Sequence, residues 1–219
     1  MSASPPDPSA WQQPFLRERI ARAQAGRCVL TGGQTGVDTL AAQSALRAGL
    51  AVHLVFPLGF RQEDGPLSPA RRAQLPGATL HELASPDFRL RTWTCAYLSD
   101  AIILLDPAGG DGCQETIRAA AHLGRPLLNL TAGITDPVDL AGRPDRPLVD
   151  STPGAEFFQV EKLRGLNHLP ELIMRWATDN QVRVLMIAGC RGSLLAAQGQ
   201  AAGLSGILDA ITAGLASLA

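Results

Sequence analysis

The chain has 219 residues, with 19 basic and 20 acidic side chains and a formal net charge of −1. A domain of this length buries roughly 70% of the surface its unfolded chain exposes, so neither disulfides nor a metal is needed to hold it together. Hydrophobic residues at 46% and a mean hydropathy near zero exclude wholesale disorder, and the balanced charge excludes a protein held to nucleic acid by a basic surface.

Met1 to Pro14 is rich in Pro and Ser and lacks the basic and apolar regions of a signal peptide. It reads as a loose tail, 1–14, ahead of a single domain over 15–219. Cys28 to Thr31 predicts a first buried strand, and Val37 to Ala48 a helix. Ala51 to Val55 predicts the second strand and Thr79 to Leu83 a weaker one. A helix is expected over Asp87 to Leu98, a strand over Ala101 to Leu105, a helix over Gln114 to Leu123 and a strand over Pro126 to Leu130. Thr131 to Gly165 then reads as a long insert, either a functional lid or a floppy connection. Helix Leu169 to Asn180 and strand Val182 to Ile187 follow. Continuous apolar strands alternating with helices give an α/β fold, a Rossmann-like doubly wound parallel sheet with helices on both faces.

At the C-terminus, Leu204, Ile207, Leu208, Ile211, Leu215 and Leu218 follow helical spacing, and the opposite face is small residues with Asp209 the only charge after Arg191. A solvent-facing helix normally carries charge. The expectation is a subunit interface in a homo-oligomer, with packing inside the same monomer as the alternative.

The cysteines at 28, 95, 113 and 190 have no C-x-x-C pairing, and the four histidines lack ligand spacing, so no metal site is expected. No stretch reaches the ~18 apolar residues of a membrane helix. The expected location is the cytoplasm, with neither membrane nor nucleic acid as partner.

The sharpest local feature is Thr31-Gly32-Gly33-Gln34-Thr35-Gly36-Val37-Asp38, directly after the first strand and opening a helix. Glycines there let the backbone approach an anion, which free N–H groups and the helix dipole stabilise. A second loop, Pro107-Ala108-Gly109-Gly110-Asp111-Gly112, follows the fourth strand and opens another helix. With strand order 3-2-1-4-5 the first and fourth strands are neighbours, and both loops face one crevice at the topological switch point. Gly32, Gly33, Gly36, Gly109, Gly110 and Gly112 are then expected to give backbone anion contacts, with Gln34 and Asp111 on the same loops. Thr31, Thr35 and Arg191 would add side-chain contacts, and Asp38 and Asp64 would read the polar part of the ligand. Arginine suits phosphate because its planar fork binds bidentately. Glu115, in the first turn after the second loop, is a candidate acid/base or simply a partner of the helix dipole.

Taken together, Gly32 to Asp38, Pro57-Leu58-Gly59-Phe60-Arg61, Glu63-Asp64-Gly65-Pro66, Arg89-Leu90-Arg91-Thr92, Ser99-Asp100, Gly109 to Gly112 and Ala188 to Ser193 resemble the putative molybdenum carrier family. That family lies in the wider Rossmann-like superfamily of the lysine-decarboxylase-like phosphoribohydrolases. The resemblance implies an oligomeric protein that binds molybdenum cofactor (molybdopterin), a pterin phosphate, without transforming it. The chain departs from the family's Asn at Cys95 and from its Pro at Cys190. A rival reading makes it an enzyme that hydrolyses the N-glycosidic bond of nucleotide 5′-monophosphates, with Arg91 and Glu115 as catalytic residues. There Cys113 replaces a Thr, Thr116 stands at the catalytic Glu position, and Glu115 comes one residue early, about 100° around the helix. A third reading is a non-catalytic, oligomeric nucleotide-binding module.

Overall fold

The computed structural model describes residues 4–22, 26–105, 111–132, 155–159, 168–198 and 201–218. Helices α1 (Pro8–Trp11) and α2 (Pro14–Arg22) lead into β1 (Cys28–Thr31), α3 (Val37–Arg47) and β2 (Ala51–Phe56). A small antiparallel hairpin of β3 (Arg61–Gln62) and β4 (Gly65–Pro66) comes next, followed by α4 (Pro69–Ala73), β5 (Thr79–Glu82), α5 (Phe88–Leu98) and β6 (Ala101–Leu105). The chain continues through α6 (Asp111–Leu123), β7 (Leu127–Ala132), β8 (Ala155–Gln159), α7 (Leu169–Asp179), β9 (Val184–Gly189), α8 (Gly192–Gln198) and α9 (Ala201–Ala216).

Seven strands form one sheet in the order β5-β2-β1-β9-β6-β7-β8, and every pairing is parallel. Helices α3, α9 and α7 pack together, and α5 packs with α6 and α1, giving the two helical layers of a Rossmann-like fold. Strands covered on both faces must be apolar throughout. The five residues of β6 are all 0% exposed, as this requires.

The order corrects one expectation. The first and fourth predicted strands, β1 and β6, are not neighbours, because β9 lies between them. The apolar run Val184 to Ile187 needs cover on both faces, which the sheet centre supplies. Asp100 fixes this strand beside β6, its Oδ2 accepting the Arg183 and Val184 N–H groups at 3.0 and 2.9 Å.

Two further segments differ from their sequence reading. The stretch Thr131 to Gly165 contains a strand: β8, including Phe157 and Phe158, pairs in parallel with β7. Most of the remaining insert, and with it the lid question, lies outside the described residues. The N-terminal segment, over its described part, is packed instead of loose. Trp11 is 1% exposed, its ring lies 5.5 Å from Trp93 and 5.8 Å from Tyr97, and its Nε1 donates to the Pro6 carbonyl at 3.0 Å. One large aromatic outweighs the Pro/Ser composition around it.

The small-residue character of α9 also has an explanation inside the chain. A Cβ on Gly214 would stand 2.4 Å from the Pro170 carbonyl oxygen, so the glycine lets α9 close onto α7. On the α3 side, Ser44 Oγ donates to Asp209 at 2.5 Å, and Arg47 reaches the same carboxylate at 2.7 Å. Among the described residues no helix is long and apolar enough to cross a membrane.

Candidate functional site

A cleft of about 420 Å³ opens at the carboxyl ends of the central strands. Its walls come from the β1–α3 loop, the start of α5, the start of α6, the end of β9 and the β9–α8 turn, with Glu63 from the β3–β4 hairpin. Carboxyl ends of parallel strands where the winding reverses are where open α/β sheets bind ligands. The cleft lies at the strand ends where a crevice is expected, but over β9 and not between neighbouring β1 and β6: Met186, Ala188 and Gly189 of β9 line it, with Cys190 just beyond the strand.

The β1–α3 loop is built differently from the expected anion cradle, because most of its amides are already engaged. Gly33 N–H donates to Thr31 Oγ1 at 3.3 Å, Gln34 N–H to Asp38 Oδ2 at 3.1 Å, and Thr35 N–H to Gln34 Oε1 at 3.1 Å. Val37 N–H donates to the Cys190 carbonyl at 3.1 Å. The glycines serve close approach. Gly36, at φ +80°, lies where a Cβ would meet the Cys190 carbonyl oxygen at 2.5 Å, and Gly32 lies directly beneath the Arg91 guanidinium.

Arg91 and Asp38 are the buried charged pair of the cleft. Arg91 Nη1 donates to Asp38 Oδ2 at 3.2 Å, with side-chain exposures of 10% and 5%. Burial pushes the Asp38 carboxyl above the ordinary range, against the pull of Arg91 and of the Gln34 and Gly32 amides. Arg91 Nε is buried and has no hydrogen-bond partner among the described residues. A buried donor left unpaired costs roughly 1–3 kcal/mol, so a native protein normally supplies it with something. Phe88 lies beside it, with the Arg91 and Arg61 guanidinium carbons 5.9 and 5.8 Å from its ring centre.

Glu63, absent from the sequence-derived site, latches the hairpin to the loop. Its Oε1 accepts from Thr35 Oγ1 and from the Ser193 N–H at 3.0 Å, and its Oε2 accepts from Ser193 Oγ at 2.5 Å. Burial opposes its ionisation, but these bonds and the Arg191 charge outweigh that and hold the carboxyl below the ordinary range. Its neighbour Asp64 points elsewhere, in a bidentate pair with Arg71 at 2.7 and 2.5 Å on the surface. Which of two adjacent carboxylates enters the cleft depends on the facing of a two-residue hairpin, and no periodicity in the sequence reports that.

Glu115 lines the cleft but is clamped. Trp93 Nε1 and Arg89 Nε donate to its Oε1, each at 2.6 Å, and Arg118 Nη1 donates to Oε2 at 3.0 Å. Burial again opposes ionisation, and the Trp93, Arg89 and Arg118 hydrogen bonds prevail, so the carboxyl sits below its ordinary range. A carboxylate so held is a poor proton shuttle near neutral pH. Arg191, Asp111 and Gly112 line the cleft as expected, whereas Thr31 is fully buried and does not; Gly109 and Gly110 lie outside the described residues. Cys113 and Cys190 face the same space. Burial pushes the Cys95 thiol, which is not a lining residue, up to about 12. Among the described residues no three His, Cys, Asp or Glu side chains come together to hold a metal.

Comparison with known proteins bears on fold and family. The chain is similar to the crystal structure of the Putative molybdenum carrier protein from Syntrophus aciditrophicus SB, with a TM-score of 0.59 and 17% identity, covering 87% of this chain and 98% of that one. At that identity the likeness is one of fold. AtPrR2 in its apo form aligns at a TM-score of 0.35 and 16% identity, over 52% of this chain and 40% of that chain. No curated protein matches the sequence. Residues 29–141, just over half of the chain, match the model of the circularly permutated YpsA SLOG family, and the chain belongs to that family.

Proposed function

We propose that the cleft binds a phosphate-bearing small ligand, with molybdenum cofactor as that ligand and carriage as its role. The observation that carries the reading is Arg91, a guanidinium side chain nine-tenths buried that lines the cleft. A phosphate oxygen is a strong acceptor for such a donor. Arg191 lines the same space and adds positive charge, and the first turn of α6, Asp111 to Cys113, lines it as well. Phe88 offers a ring face for a heterocycle. The β1–α3 loop then shapes the cleft and positions Arg91 instead of donating amides to the anion. Self-association and a cytoplasmic location belong to the same reading; light scattering on the purified protein tests the first.

The hydrolase reading has one point in its favour, since Arg91 and Glu115 do share the cleft. The three donors on Glu115 weigh against it. Incubation with AMP separates the readings. Arg91-dependent binding without release of free adenine supports a carrier. Adenine release that disappears in Glu115→Gln overturns it.

A further inference from the structure

The β1–α3 loop has two ends, and an acid of the chain sits at each. Asp38 takes the Gln34 amide near the beginning and is locked under Arg91. Glu63 sits at the far end, where the hydroxyls of Thr35 and Ser193 and the Ser193 amide converge on its carboxylate and Arg191 adds charge. That far end takes an anion, since the chain's own carboxylate is seated in it. The hairpin bearing Glu63 is also pinned: Glu63 N–H donates to Gln34 Oε1 at 2.7 Å, and Gln62 Nε2 donates to the Gly33 carbonyl at 2.8 Å. Among the described lining residues, four carboxylates (Asp38, Glu63, Asp111, Glu115) face three guanidiniums (Arg89, Arg91, Arg191). Arg91 and Arg89 are already paired with Asp38 and Glu115.

We propose that Glu63 sets the ligand class of the cleft: by filling the far-end anion position it restricts the site to ligands with a single phosphomonoester and rejects diphosphates and dinucleotides. This rests on the phosphate-binding reading above. A first phosphate meets the Arg91 guanidinium where it lines the cleft. A second would have to lie in a space whose charge is already balanced or negative, or displace a carboxylate held by three donors. Discrimination of this kind comes from a built-in repulsive element as much as from attraction.

The test is calorimetric titration of the full chain with AMP and ADP, and with inorganic phosphate and pyrophosphate, at fixed ionic strength without divalent cations. Wild type is expected to favour each monophosphate over its diphosphate by about tenfold or more, the effect of ~1.4 kcal/mol. Glu63→Gln should narrow that to within about threefold, mainly by tightening the diphosphate, while Glu63→Asp keeps the preference. Should Glu63→Gln fail to fold in a thermal melt, Ser193→Ala, which removes the donor to Oε2 and leaves the charge, is expected to narrow the ratio part of the way. Equal binding of mono- and diphosphate by wild type, or a ratio unmoved in the folded variants, overturns the role of Glu63 while the site reading stands. If wild type binds none of the four probes, the phosphate reading falls and the proposal falls with it.

Discussion

Two glycines of the anion-loop motifs, Gly32 and Gly112, should respond in opposite ways to alanine. A Cβ on Gly32 would stand 1.3 Å from Arg91 Nη1, 2.5 Å from Arg91 Cζ and 2.9 Å from Asp38 Oδ2. The guanidinium has to leave, and the 3.2 Å bond to Asp38 breaks. Removing one partner of a buried ion pair costs roughly 3–5 kcal/mol. Two effects reduce that figure. Arg91 can swing into the cleft and meet water, and Asp38, whose carboxyl burial already holds high, can take up a proton. The expected cost of Gly32→Ala is therefore about 2–4 kcal/mol, a fall in Tm of roughly 5–15 °C for a chain of this size. The displaced side chain also fills the cleft, so AMP affinity should drop by at least about tenfold. A Cβ on Gly112 meets nothing within 4 Å among the described residues, and Gly112→Ala in the first turn of α6 should be neutral or stabilising by up to about 1 kcal/mol. Urea denaturation with calorimetric titration reads both quantities. Gly32→Ala within about 0.5 kcal/mol of wild type, with ligand affinity intact, would refute the placement of Arg91 over the loop.

Trp11→Ala should cost about 3–5 kcal/mol in urea denaturation, because it empties a fully buried position against Trp93 and Tyr97; a loss under about 1 kcal/mol would return this segment to a loose tail. Asp64→Ala should leave stability and ligand binding at wild-type levels, since its pair with Arg71 is exposed and outside the cleft; weakened binding would contradict that. Stability should also fall as pH drops below neutral, through a stacked histidine pair. His53 Nδ1 and His81 Nε2 are 2.9 Å apart between β2 and the edge strand β5, and burial, the His53 ring and Arg19 lower His81 from 6.5 to about 4. Above pH 6.5 both states are neutral there. Between 6.5 and about 4 the unfolded chain takes a proton that the folded chain refuses, so stability is lost across that window. Linkage sets an upper bound of ~3 kcal/mol; screening at the sheet edge brings the expectation to about 1–2 kcal/mol, and His81→Gln should flatten this part of the pH profile.

Much of the architecture was legible because buried parallel strands leave continuous apolar runs, and β1, β2, β6, β7 and β9 fall close to their predicted positions. The order of strands was not legible. Val184 to Ile187 declares itself buried on both faces, but nothing in that run says which two strands cover it. Composition misled where one residue outweighed its neighbours: Trp11 anchors a Pro/Ser-rich segment, and Phe157-Phe158 marks a strand within an apparent loop. A cleft does lie at the carboxyl ends of the strands, over β9 and not between adjacent β1 and β6, and its first loop is not built as an open cradle. Reading Gly-Gly-Gln-Thr-Gly as a cradle presumes open amides, and here Thr31, Gln34 and Asp38 close them from within. Hydrogen bonds of that local kind depend on rotamers, which glycine spacing does not encode. Arg91 and Glu115 were brought to one cleft as expected, yet the three donors that immobilise Glu115 come from α5 and α6 and become visible only once those helices pack.

The central claim is that the cleft holds a phosphate-bearing ligand through Arg91. Native mass spectrometry of the protein purified from its own cells, with phosphorus and molybdenum analysis, tests it most directly when wild type and Arg91→Gln are compared. The expected result is a phosphorus-containing adduct of small-molecule mass on wild type, with molybdenum if the cargo is the cofactor, and its loss from a folded Arg91→Gln. An adduct-free wild type, or a phosphorus adduct equally retained without the arginine, would contradict the assignment.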